Sequence, residues 1–200
     1  MARPDLGPLG PPPADFSDRE LPAVSWRAPL VRVHRHDHDP AFFGRTGLNR
    51  FDAPGSEFGV LYAAEDLQGA FIETFGDAAG RTVTVNSLTV RAYTTFEPTR
   101  ALSLVDVGGA GLARIGADAR LFAGDRLPAQ QWSLAIWSHP ATVDGICYRA
   151  RHDPSRSAVA LYDRADRAVR VAQTTPLMAP SERPAFAAVL DAYSFGLIDA

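Results

Sequence analysis

The apolar residues of this chain recur at a strand period in many short runs and at a helix period in only a few, and the two kinds do not alternate regularly. Leu30-Val31-Arg32-Val33-His34-Arg35 alternates apolar and basic side chains, the pattern of a half-buried strand whose other face meets solvent or a cleft. Phe58 to Ala64, Thr82 to Val90, Arg91 to Phe96, Leu102 to Val107, Asp144 to Tyr148, Ala158 to Tyr162 and Val169 to Gln173 read as further strands. Helical spacing covers Asp66 to Asp77, where Asp66 can cap the first turn, then Gly111 to Phe122, Ala129 to Ser138 and Glu182 to Tyr193. A doubly wound sheet needs a steady strand–helix–strand order, so this mixture predicts an α+β fold.

Two hundred residues, 46% hydrophobic and 22% charged, suffice for one domain with a sizeable core. Residues 1–22 are rich in proline and glycine without an apolar period, and read as an extended tail or strap. Ordered chain is expected from near Val24, in a domain spanning 23–200. A formal charge of −3 leaves no electrostatic footprint for nucleic acid, and no polybasic block suggests a membrane surface. The N-terminus lacks a basic segment followed by an apolar one, and no apolar run is long enough to span a bilayer. A single cysteine, Cys147, permits a reducing compartment, so a cytoplasmic protein with a small-molecule substrate is expected. All twenty basic residues are arginine. A chain without lysine carries no P-loop lysine and no pyridoxal Schiff base, and it must hold anions with arginine, backbone amides or helix ends.

The run His34-Arg35-His36-Asp37-His38-Asp39 places histidines at alternate positions, with Arg32, His34 and His36 on one strand face. Its spacing is one residue away from the HxHxDH run of metallo-β-lactamase-like hydrolases, and it reads as a polar strand end, with no metal expected. No GxGxxG or GxSxG is present, and Gly108-Gly109-Ala110-Gly111 reads as a helix start. What remains is a set of polar residues in apolar settings: Arg32, Arg50, Tyr62 and Glu73. On the helical wheel Glu73 lies roughly 120° from Leu67, off the buried stripe and able to reach a cleft. Singly, such residues are surface ion pairs, core tyrosines or solvated glutamates.

Their surroundings change that reading. Val31-Arg32-Val33-His34-Arg35, Asn49-Arg50-Phe51-Asp52-Ala53-Pro54-Gly55, Gly59-Val60-Leu61-Tyr62-Ala63-Ala64 and Ala70-Phe71-Ile72-Glu73-Thr74 resemble, in order and near spacing, the RES family. The resemblance continues through Asp144-Gly145-Ile146-Cys147-Tyr148-Arg149-Ala150-Arg151-His152 and Ala158-Val159-Ala160-Leu161-Tyr162, covering about residues 27–175. It implies an ADP-ribosyltransferase-like mixed sheet with flanking helices. It also implies a NAD-consuming enzyme that cleaves the nicotinamide–ribose bond as a glycohydrolase or phosphorylase, often a toxin held by a cognate antitoxin.

Carried over by position, Arg32 or Arg50 matches the family arginine, Tyr62 the tyrosine and Glu73 the glutamate. Arg32, Tyr62 and Glu73 are therefore the catalytic candidates, and Arg32, Arg50, Tyr62, Glu73 and Ala150 the NAD-binding ones. Ala150 stands where the family has serine. Transfer of ADP-ribose to a protein acceptor, and an inactive NAD-binding or partner-binding module, are the alternatives this leaves. The chemistry suits the residues. A carboxylate can stabilise an oxocarbenium-like state and orient a ribose hydroxyl, arginine forks suit a pyrophosphate, and a tyrosine face suits nicotinamide.

Overall fold

The computed structural model describes residue 7 and residues 9–199. Most of the period-two runs enter one eight-stranded sheet. Its strands are β1 (Ala23–Trp26), β2 (Leu30–Arg35), β3 (Val60–Ala64), β5 (Arg91–Pro98), β6 (Leu102–Asp106), β7 (Gly145–Arg149), β8 (Ser157–Tyr162) and β9 (Val169–Pro176). Strands β4 (Thr82–Thr84) and β10 (Gly196–Ile198) form a separate parallel pair. In space the large sheet runs β1-β6-β7-β8-β3-β2-β5-β9. The β6–β7 contact is parallel and the others antiparallel, so the sheet is mixed and the fold is α+β.

One joint in this sheet is weak. β2 pairs with β5 along its whole length, and β3 does so with β8, but β2 and β3 share a single register pair, Val31 with Ala64. The sheet therefore parts there into five strands and three, and the start of β3 is bridged through Val60 to Gly44 instead of to β2.

Alternation along each strand supplies the core. Val60 and Tyr62 of β3 turn to one face, where helix α5 (Arg126–Trp137) brings Trp132 and Ile136 against Phe51, Phe58, Ile146 and Tyr162. Leu61 and Ala63 turn to the other, against Leu30, Phe96, Leu102 and Val169. A third cluster packs helix α1 (Leu67–Phe75) against β2 and helix α6 (Arg183–Ala192). Helix α1 starts where the Asp66 carboxylate accepts from the Gly69 N–H at 2.8 Å, an N-cap worth about 1 kcal/mol. Phe71, fully buried, meets Phe186 and Phe195 edge-on, and truncating such a ring to alanine costs about 3–5 kcal/mol.

Local signals mark out most of this, with differences that have physical causes. The proline-rich segment packs from Leu9 onward instead of becoming ordered near Val24. Leu9, Phe16 and Leu21 join the α5 core, Phe16 meets Trp132 edge-on at 5.4 Å, and Gly10 O accepts from Trp132 Nε1 at 2.9 Å. The strand expected over Thr82 to Val90 ends at Thr84, whose hydroxyl caps helix α2 (Val85–Thr89) through the Ser87 N–H at 2.9 Å. The helix expected over Gly111 to Phe122 is two, α3 (Gly111–Ile115) and α4 (Arg120–Ala123). Gly116 separates them with φ 85°, the left-handed conformation that ends helices. Strands β1 and β10 have no period-two signature of their own, being short and exposed. Among the described residues no helix is long and apolar enough to cross a membrane.

Candidate active site

A cavity of about 410 Å³ opens where β2 and β3 part. Helix α1 and the turn after it form one wall with Ala70, Glu73, Thr74 and Asp77, a stripe at the spacing of one helical face. Val31 and Val33 of β2 and Tyr62 and Ala64 of β3 form the sides. Arg50 and Arg126 approach from the loop after β2 and from α5, and Tyr148, Arg149, Arg151 and His152 come from the end of β7. A pocket of this size with a few convergent polar groups is the form small-molecule sites take.

Glu73 is immobilised. Its Oε1 accepts from the Arg151 backbone N–H at 2.9 Å and its Oε2 from the Tyr148 hydroxyl at 3.2 Å. Burial and the neighbouring Glu73 charge push the Tyr148 phenol well above the usual tyrosine value, so it stays a donor. Both carboxylate oxygens are thus tied, which fixes the orientation of the Glu73 side chain.

Arg50 is delivered by a loop with a buried carboxylate at its centre. Asp52, 1% exposed, accepts from Tyr62 Oη at 3.0 Å, Thr46 Oγ1 at 2.9 Å and the Asn49 N–H at 3.1 Å. The Phe51 N–H in turn donates to Tyr62 Oη at 2.9 Å, so Tyr62 lines the cavity while its hydroxyl is spent on the loop. From α5, Gln130 donates to Gly47 O and Asn49 O, and Arg126 to Leu48 O. Arg50 Nη1 donates to Gly124 O at 2.8 Å. Its pKa is lowered by burial first and then by repulsion from Arg151 and Arg126. An anion placed among these three guanidinium groups relieves that repulsion, which suits the cavity to negative charge.

Arg32 also reaches the cavity, with its guanidinium donating to Pro40 O at 2.9 Å and Phe42 O at 3.0 Å. It therefore tethers the segment that follows β2. Burial lowers its pKa, and nearby Asp39 partly offsets that. Thus Arg32, Arg50, Tyr62 and Glu73 come together around one space.

Ala150 does not join them. It is 1% exposed, it belongs to the apolar cluster of Phe71 and Val33, and the cavity is lined by Arg149 and Arg151 on either side of it. Its methyl is turned into that apolar cluster, while its two neighbours in sequence line the cavity.

The histidine run separates as well. His34 is buried, with Nδ1 donating to Arg35 O at 2.8 Å and Nε2 2.8 Å from the Thr94 hydroxyl, which also meets Thr174. His36 and His38 lie beyond the end of β2. Among the described residues no three His, Cys, Asp or Glu side chains converge as a metal site.

The sequence reading did not single out Tyr148, Arg151, Asp52, Arg126, Gln130 or His152 as site residues. Asp52, Tyr148, Arg151 and His152 stand inside the motif words and could have been read from them. Arg126 and Gln130 carry no local signal, because only the docking of α5 on the loop brings them in.

Residues 26–183 match the RES domain family model, most of the chain. The chain belongs to the RES domain family. A relative described as "Probable toxin y4kH", from Sinorhizobium fredii, is 34% identical over 104 residues, 51% of this chain and 79% of that one. The RES fold seen here is also similar to a chain in the crystal structure of the M. tuberculosis MbcT-MbcA toxin-antitoxin complex. That similarity has a TM-score of 0.66 at 17% identity, covering 82% of this chain and 92% of that one. At that identity the likeness is one of fold.

Proposed function

We propose that this RES domain consumes NAD by breaking the bond between nicotinamide and ribose, as a glycohydrolase or phosphorylase. The observation that carries the reading is a carboxylate fixed by two donors, Glu73, in the same cavity as the mutually repelling Arg50, Arg126 and Arg151. NAD has the complementary charges: a pyrophosphate for the guanidinium groups and a ribose that becomes cationic as nicotinamide leaves. The electron pair of the breaking C1′–N bond goes to the nicotinamide ring and neutralises it. Glu73 stabilises the ribosyl cation until a water or phosphate oxygen bonds to C1′. The positive charge of the pyridinium ring activates its own departure, so the reaction calls for no metal.

The face of Tyr62 borders the cavity and offers a stacking surface for the nicotinamide ring. Arg32 contributes charge and holds the rim. We assign the reaction to the unit of residues 23–200, with the strap completing its core. The similarity to a probable toxin and the fold shared with a chain of a toxin–antitoxin complex support a toxin of a toxin–antitoxin pair, acting in the cytoplasm and held by a cognate antitoxin protein.

The test is incubation of the purified protein with NAD, following free nicotinamide and ADP-ribose, beside Glu73→Gln. Wild type is expected to release nicotinamide. The glutamine variant keeps the size of the side chain but loses its charge, and should lose at least about a hundredfold in rate at unchanged melting temperature. Turnover within about tenfold of wild type rules out Glu73 as the stabilising carboxylate, and labelled protein acceptor in place of free ADP-ribose redirects the reading to transfer.

A further inference from the structure

We propose that His152, oriented by Asp77, is the general base that takes the proton of the acceptor; this rests on the reading of NAD cleavage above. Asp77 lies four residues after Glu73, just past the end of α1, so the two carboxylates share one wall of the cavity. Asp77 Oδ1 is 3.2 Å from His152 Nε2 and 3.5 Å from Arg151 Nη1. A second observation fixes the ring. Gly76 ends α1, and a Cβ there would overlap His152 Cδ2, so the imidazole lies directly against the helix end in space that glycine leaves open.

The chain has five histidines, and among the described residues His152 is the one that lines the cavity. His34 is buried against Thr94, and His139 is buried between Arg19 O and the Ala141 N–H. The charged and titratable groups around His152 come from every side. Its own loop supplies Arg151 and Asp153, the latter bonded to Tyr193 from beyond α6 and paired with Arg156. Helix α1 supplies Glu73, with Asp77 just past its end, and Arg50 and Arg126 border the same cavity.

A carboxylate 3.2 Å from Nε2 favours the tautomer with the proton on that nitrogen and the lone pair on Nδ1, the arrangement by which a carboxylate orients a catalytic imidazole. Water that bonds to C1′ must lose a proton, and Glu73, already held by two donors and facing a cation, is poorly placed to accept it. The C1′–N pair leaves with nicotinamide, the water oxygen bonds to C1′, its proton moves to His152 Nδ1, and His152 returns that proton to solvent.

The experiment measures nicotinamide release by wild type, His152→Ala and Asp77→Asn across pH, with and without sodium azide, and NAD affinity by calorimetry. Azide is a nucleophile without a proton to lose, so it replaces water and base together and leaves the ribosyl azide as product. Loss of the base should lower His152→Ala about a hundredfold at unchanged NAD affinity. The acid limb of the pH profile should disappear, and azide should restore release. Asp77→Asn, at a well-exposed side chain that does not threaten the fold, should lose about tenfold.

A His152→Ala protein that keeps the wild-type rate and acid limb, or loses activity without recovery in azide, overturns the assignment of the base and leaves NAD cleavage standing. Full activity in Asp77→Asn overturns the orienting role. A wild-type protein that releases no nicotinamide overturns NAD cleavage, and the base with it.

Discussion

Replacing Asp52 by alanine removes the acceptor on which the Arg50 loop is built. In the folded protein Asp52 takes hydrogen bonds from Tyr62, Thr46 and Asn49, all between 2.9 and 3.1 Å for the closest oxygen of each. A hydrogen bond to a charged group contributes about 1.5–3 kcal/mol. Thr46 and Asn49 are exposed and can turn to water when the carboxylate is gone, so they return most of their share. The hydroxyl of Tyr62 faces inward and keeps only the Phe51 N–H, so its loss is close to the full amount. The sum is about 3 kcal/mol, which lowers the melting temperature of a domain this size by about 6–12 °C. Because the same loop delivers Arg50, affinity for ADP-ribose should fall about tenfold, an energy of about 1.4 kcal/mol. Tyr62→Phe is the control: it deletes one donor to Asp52 and the acceptor of the Phe51 N–H, leaves Asp52 its loop partners, and should cost about 1–2 kcal/mol. Thermal melting and calorimetry read both effects. An Asp52→Ala protein that melts within about 2 °C of wild type and binds ADP-ribose as tightly would show that the loop is held by α5 alone and that the carboxylate is incidental.

The remaining expectations concern single groups. Arg50→Ala should weaken NAD and ADP-ribose alike by about tenfold to a hundredfold, since a guanidinium serving the pyrophosphate acts on both; unchanged calorimetric affinities would make Arg50 a tether to Gly124 only. Ala150→Ser places a hydroxyl in an apolar cluster, so it should cost about 1–3 kcal/mol in melting experiments and give no gain in nicotinamide release. A faster enzyme would mean that position 150 reaches the ligand. Burial lowers the pKa of His34, with Arg32 and His38 adding to that effect and the Arg35 carbonyl and Asp39 opposing it. Unfolded histidine takes its proton near the ordinary value of about 6.5, the folded one only at lower pH. Between those values the unfolded chain binds more protons, so melting temperature should drop as pH falls from about 7 toward about 5, and less steeply in His34→Gln. A flat wild-type profile over that range would refute it.

How much of this was legible in the sequence depends on the distance over which each feature is decided. The alternation of Leu30 to Arg35 and the capped period from Asp66 are local, and both elements stand where those patterns put them. Thr82 to Val90 misled because its β-branched residues favour a strand while the Thr84 hydroxyl, one side chain, starts a helix. The motif words brought forward Arg32, Arg50, Tyr62 and Glu73, which do meet around one cavity. The cavity itself is a property of pairing. It exists because β2 and β3 share one register pair, a fact about two strands separated by the whole loop of residues 36–59. The same distance hides what makes Glu73 rigid, since Tyr148 and Arg151 donate to it from the far side of the chain. It also explains Ala150. A position matched by its neighbours in sequence says which backbone atom comes next, not which way the strand end turns its Cβ. Here the Arg151 N–H faces Glu73 while the methyl before it enters the core, so matching words located the site and the fold decided which atoms of those words line it.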